Sequence, residues 1–153
     1  WLISDIGNNF ILKMLNLFSK EKEISLVSDQ IGSPTSTSSL VEAVWQIIEL
    51  DESLRNNHKN LNNIFHWTDR GITSWYELGL ETLNISKKIG LINNEVNLIP
   101  IKTSQYRTEA LRPLYSVLDC KLSKFLLNIE QKHWEVNLNE ILTNIYFDKI
   151  KVK

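Results

Sequence analysis

The stretch Ile24-Ser25-Leu26-Val27-Ser28, followed at once by Asp29-Gln30-Ile31-Gly32-Ser33-Pro34-Thr35, decides how this chain is read. The first five residues have the length and apolar content of a short strand. Gly32, Ser33 and Pro34 then break it, because glycine and proline punctuate regular structure. Upstream, Phe10, Ile11, Met14, Leu15 and Phe18 recur at helical spacing and predict an amphipathic helix over about residues 8–20. Downstream, Ser39-Leu40-Val41-Glu42 has the spacing of a capping box, a hydroxyl for the N3 amide and a glutamate reaching back. Val41, Val44, Trp45 and Ile48 carry that helix to about Leu50. Helix, strand, break and helix in succession indicate an α/β fold.

The rest of the chain keeps the alternation. Residues 51–62 are polar and rich in Asn, hence a surface loop. Ile64-Phe65-His66-Trp67 reads as a second strand. A second capping box, Ser74 with Glu77, opens a helix to about Lys88, and Gly90 is placed to close it. Val96 to Thr103 is a third extended stretch, with Pro100 pointing to an edge or a bend. Tyr115 to Leu118 is extended, and Asp119 begins a short helix to about Leu127. Asn137 with Glu140 is expected to cap a last helix with the stripe Leu138, Ile141, Leu142 and Ile145, and Lys149, Lys151 and Lys153 a solvated tail. So few short strands make a small layer, better packed against further strands. The chain also opens on Trp1-Leu2-Ile3, which reads as a buried strand end. Residues 1–153 are therefore expected to be one portion of a longer protein, with an N-terminal part missing.

With 153 residues, 42% apolar and 23% charged, the chain has the composition of an ordinary folded domain. Its net charge of −1 gives no field to draw nucleic acid or an anionic membrane. No apolar run approaches the roughly 18–20 residues of a membrane span, and no signal peptide is visible. The one cysteine, Cys120, excludes an intrachain disulfide, fits a reducing compartment and reads as a small buried hydrophobe.

Catalytic motifs are absent from these residues. Gly7, Gly32, Gly71, Gly79 and Gly90 form no cluster of the kind that cradles a dinucleotide's pyrophosphate. None of Tyr76, Tyr106, Tyr115 and Tyr146 has a lysine four residues later, so the Tyr-Lys acid–base pair of a short-chain dehydrogenase is not here. His58, His66 and His133 lack metal-ligand spacing, and there is no Gly-x-Ser-x-Gly elbow.

Four stretches, in order, resemble the dTDP-4-dehydrorhamnose reductase family. They are Trp1-Leu2-Ile3-Ser4 with Gly7-Asn8-Asn9-Phe10; Asp29-Gln30-Ile31-Gly32-Ser33-Pro34-Thr35; His66-Trp67 with Gly71 and Ser74-Trp75-Tyr76; and Arg112-Pro113 with Ser116 and Leu118. Ile3 and Arg107 depart from the family, which usually has Tyr and Pro there. The resemblance implies the C-terminal, substrate-binding part of a Rossmann-type extended short-chain dehydrogenase/reductase, active in the cytoplasm. An N-terminal part would bind NADPH or NADH and supply the Tyr and Lys. The reaction implied is reduction of the C4 ketone of dTDP-4-dehydro-L-rhamnose to dTDP-L-rhamnose, for cell-surface polysaccharide. Family enzymes use Mg²⁺ in some cases and dimerise.

The resemblance also names substrate-binding residues. Trp1 matches the family tryptophan that lies against the sugar, where an indole suits a sugar's CH face; otherwise it is a core residue at a strand end. Asn8 and Asn9 precede a helix, where they cap it or, with its N-terminus, face a diphosphate. Gln30 follows a strand and either bonds the nucleotide or belongs to a turn held by Asp29, Gly32 and Pro34. Arg112 forks onto a diphosphate or pairs at the surface with Glu109. Trp75, Tyr76, Trp45 and Trp134 are expected in the core. Three rivals remain: a non-catalytic relative like the methionine adenosyltransferase β subunit, a different nucleotide-sugar reductase or epimerase, and a stand-alone binding module.

Overall fold

The computed structural model describes residues 1–57 and 64–151. In chain order it contains β1 (Leu2–Ile3), α1 (Phe10–Phe18), β2 (Glu23–Val27), β3 (Ile31–Gly32), β4 (Thr35–Ser36), α2 (Thr37–Asn56), β5 (Thr73–Ser74), α3 (Trp75–Lys88), β6 (Asn97–Ile101), a 3-10 turn at Thr103–Gln105, α4 (Lys121–Leu127) and α5 (Trp134–Lys151). This is the expected α/β class. Its strands pair two by two. β2 and β6 run parallel, from Glu23 opposite Asn97 to Val27 opposite Ile101. β1 and β4 are also parallel, while β3 and β5 are antiparallel. Tyr115 bridges to Ile31, as the extended stretch at Tyr115–Leu118 requires in part.

Local chemistry explains the elements that the sequence places correctly. Asn9, in extended backbone, accepts the N–H groups of Ile11 and Leu12 and so starts α1. α1 buries Ile11, Met14 and Phe18, one face of a helix. Ser74 and Glu77 form the full capping box of α3, and Gly90 follows its end with φ +76. α3 packs beneath both β2 and β6. Gly79 faces β2 there, and a Cβ on it would collide with Leu26. One apolar cluster joins Met14 and Phe18 to Ile24, Leu26, Leu83 and Leu98 across this layer. A second joins Ile11 and Leu78 to Leu138, Ile141 and Leu142 of α5, with Trp134 in it and Ile145 against it.

Elsewhere the structure corrects the sequence reading. The cap of α2 is Ser36, whose Oγ accepts the Ser39 N–H, three residues before the expected Ser39. The helix then continues past Leu50 to Asn56, with Arg55 paired to Asp51 at 2.7 Å in its last turn. α2 carries two apolar stripes, and the buried one holds Leu40, Ala43, Ile47 and Leu50 against Trp67 and Leu127. Val41, Val44, Trp45 and Ile48 face solvent, so Trp45, 59% exposed, is not a core residue. Residues 58–63, including His58 and the last five residues of the expected polar loop, lie outside the described residues. Ile64–Trp67 joins no strand pair: the His66 N–H donates to Ser123 Oγ and the Trp67 indole to Ser39 Oγ.

Nor does Asn137 cap the last helix, which begins at Trp134 and runs on through Lys149 to Lys151. Lys153 lies outside the described residues. The Asn137 side chain is buried and donates from Nδ2 to Asp69 Oδ2 at 2.6 Å. The same carboxylate oxygen accepts the Ser36 N–H at 2.9 Å, which ties α5 to the start of α2. Asp119 does act as expected, accepting the Lys121 N–H at the start of α4. Asn137→Ala leaves Asp69 buried with fewer donors, and the expected cost is about 1–3 kcal/mol, read as a lower urea midpoint at unchanged slope; an unaltered midpoint would contradict the role given to this bond.

Candidate functional site

Along β2 and α1 the chain forms a groove of about 350 Å³, which runs past Ile24, Ser25, Leu26 and Val27 and reaches Gln30 after the C-terminal end of β2, where open α/β folds present loops to ligands. One wall is apolar, from Phe10, Met14 and Leu17 of α1 with Leu26 of β2. The other carries polar groups: Gln30, Trp75, Tyr106, Thr108 and Arg112. Lys13 enters from α1 because it stands three residues after Phe10 and four before Leu17, on their face of the helix.

The loop that bears Gln30 is fixed by bonds across the parallel strands. Asp29 Oδ1 accepts from the Thr103 N–H at 2.8 Å and from the Thr103 hydroxyl at 2.7 Å. Asp29 therefore holds the end of β6, not a local turn. Those bonds, the Thr103 hydroxyl foremost, hold the Asp29 carboxyl below its usual range against some desolvation. Gln30 is buried, donates from Nε2 to Thr103 Oγ1 at 3.3 Å and accepts the Trp75 indole N–H at 3.1 Å.

Trp75 is half-buried: it packs against the Ile11–Leu78 cluster, as expected, and also lines the groove. The Trp1 indole stacks on it, with ring centroids 3.6 Å apart and planes within 11°. Trp1 thus stands one ring behind the groove wall. Gly32 lies against Trp1, and any Cβ there would strike the indole. Tyr76, also assigned to the core, packs at the edge of the Met14–Phe18 cluster.

The groove brings together Gln30 and Arg112, with Trp1 reaching it through Trp75. It does not include Asn8 or Asn9. Asn8 is exposed. The Asn9 carboxamide is fully used: Oδ1 accepts two N–H groups of α1, and Nδ2 donates to the carbonyls of Ser4 and Ile6. An amide has four such places, so none remains for a ligand. Arg112 does not pair with Glu109, and neither it nor Lys13 joins an ion pair among the described residues. Sequence reasoning missed Trp75 and Lys13. The spacing of Lys13 to Phe10 and Leu17 was the available signal; for Trp75 it was its place in the Ser74-Trp75-Tyr76 stretch that resembles the family.

Two groups implied by the resemblance find no seat among the described residues. Gly7, Gly71 and Gly90 have positive φ in separate turns, and none makes a strand-to-helix phosphate cradle. Among the described residues no three of His, Cys, Asp and Glu come together as metal ligands. No helix there is long and apolar enough to cross a membrane. Cys120 is buried, its Sγ 3.6 Å from Thr68 Oγ1.

A depressed carboxylate stabilises the fold above its ordinary pKa and stops doing so as pH falls through the lowered value. The Asp29–Thr103 tie is accordingly expected to be at full strength above pH 3.8 and to weaken below it. Thr103→Val should lower stability at pH 6 and make the acid limb shallower. Parallel acid limbs for the two proteins, by chemical denaturation, would show that the tie does not titrate.

The model of the RmlD substrate binding domain matches residues 1–147. The spore coat polysaccharide biosynthesis protein SpsK of Bacillus subtilis is 34% identical over 93% of this chain and 44% of its own length. The dTDP-4-dehydrorhamnose reductase of Escherichia coli K12 is 26% identical over 95% of this chain and 48% of its own. Among solved structures, a dTDP-4-dehydrorhamnose reductase ortholog from Clostridium acetobutylicum superposes with a TM-score of 0.77 at 31% identity, over 95% of this chain and 46% of that one. The Bacillus anthracis reductase, solved in complex with NADP, gives 0.76 at 28% identity, over 94% and 45%. The chain spans less than half the length of the curated relatives it matches.

Proposed function

Because the chain belongs to the RmlD substrate binding domain family, we propose that it is the sugar-nucleotide-binding part of a dTDP-4-dehydrorhamnose reductase. The observation that carries this reading is the groove, whose apolar and aromatic lining includes two cations, Lys13 and Arg112, that join no ion pair among the described residues. A nucleoside diphosphate sugar has the complementary parts. The Arg112 guanidinium forks onto phosphate oxygens and the Lys13 ammonium adds a point charge. The stacked Trp1–Trp75 pair offers a flat surface to a ring. Asn8 and Asn9 stand outside the groove, so the diphosphate role falls to the two cations.

In this reading the parent protein spans residues before Trp1 that bind NADPH and supply the proton donor. NADPH held by that part would supply the hydride for the C4 ketone; the residues here bind the dTDP-sugar, orient the ketone and exclude water. The work is cytoplasmic, with Cys120 a reduced, buried thiol. A homodimer of the parent protein is part of the same proposal.

The parent protein is expected to oxidise NADPH in the presence of dTDP-4-dehydro-L-rhamnose and to form dTDP-L-rhamnose, whereas the 153-residue chain oxidises none. A folded parent protein that binds NADPH yet turns over no substrate would overturn the reductase reading. Arg112→Ala in the parent protein should weaken dTDP binding by about 1–3 kcal/mol, roughly 5- to 150-fold. Calorimetric titration checks this, and an unchanged affinity would return Arg112 to the solvated surface.

A further inference from the structure

The bonds around Gln30 assign it a different task from the one its place in the loop implies. Gln30 is 5% exposed, although it borders the groove. Its carbonyl oxygen is taken by the Trp75 indole and one amide hydrogen by Thr103. Thr103 is itself held twice by Asp29. A chain of bonds therefore runs from the paired ends of β2 and β6 to the indole N–H of Trp75. On the other side of the stack, Trp1 lies against Gly32, where the missing Cβ makes its space. Phe10 also touches Trp75, with ring centroids 4.9 Å apart and planes at 42°. A half-buried indole with a free N–H turns about its two side-chain torsions. One directional bond and one flat neighbour fix both.

We propose that Gln30 and Gly32 are positioning residues: Gln30 aims Trp75 through its indole N–H, Gly32 makes room for Trp1, and the two-ring stack so fixed is the platform for a ring of the bound nucleotide sugar. The choice of ligand class rests on the function proposed above; the geometry of the stack does not. Gln30 then acts on binding without touching the ligand.

The test combines dTDP titration with far-ultraviolet circular dichroism, in which two indoles stacked at 3.6 Å couple and give a paired positive and negative band. Trp1→Phe identifies that band by removing it. Gln30→Leu is expected to weaken the band and to lower dTDP affinity about tenfold, while Gln30→Glu, which still accepts the indole N–H, keeps both within about twofold. In a Trp75→Phe background, which lacks that N–H, Gln30→Leu should cost no further affinity. Gly32→Ala, which displaces Trp1 and leaves Gln30 alone, should lose band and affinity together; it carries the test if Gln30→Leu does not fold. Affinity lost with the band intact, or an additive loss in the Trp75→Phe background, would mean that Gln30 meets the ligand itself and would overturn the proposal. A lost band with unchanged affinity would overturn the platform. If the parent protein binds no dTDP while the band responds as described, the nucleotide reading fails and the positioning stands.

Discussion

The parallel pairing of β2 with β6 constrains everything else in this chain. Parallel strands cannot be joined by a tight turn, so the chain must leave the end of β2, cross over and return to the start of β6. That crossover carries α2, β5 and α3, and α3 closes the layer from beneath through the close approach at Gly79. Parallel pairing also brings two C-terminal strand ends side by side. Asp29 leaves one and Thr103 the other, and their two hydrogen bonds lock the ends together. From that lock the loop bearing Gln30 is placed, and from Gln30 the ring of Trp75. The groove is a consequence of the register.

How much of this was legible depends on the range of the interactions involved. Elements set by neighbours in sequence were readable: Asn9 with α1, Ser74 with Glu77, and Gly90 beyond α3. Where two local patterns competed, the sequence could not choose. α2 has one apolar stripe at Val41, Val44, Trp45 and Ile48 and another at Leu40, Ala43, Ile47 and Leu50; only contact with Trp67 and Leu127 decides between them. Asn137 carries the spacing of a cap, but its partner Asp69 is 68 residues away, and no local pattern announces such a bond.

The groove divides in the same way. Gln30 and Arg112 stand in motifs that could be matched by eye, and the fold brings both to its walls. Asn9 stands in such a motif too, yet capping uses its whole carboxamide. Trp75 looked like a core residue because large aromatics in the first turn of a capped helix usually pack inward. It does pack against the Ile11–Leu78 cluster, but it also lines the groove and stacks on Trp1, 74 positions earlier in the chain.

Charge and shape meet in the groove, which Lys13 and Arg112 line together with Phe10 and Trp75. A crystal structure of the parent protein with dTDP bound tests that conjunction most directly. The expected result is phosphate oxygens about 2.7–2.9 Å from Arg112 and Lys13, with a ring of the nucleotide against the Trp75–Trp1 stack. Nucleotide density elsewhere, with the groove between α1 and Arg112 left to solvent, would contradict the assignment of this groove to the sugar nucleotide.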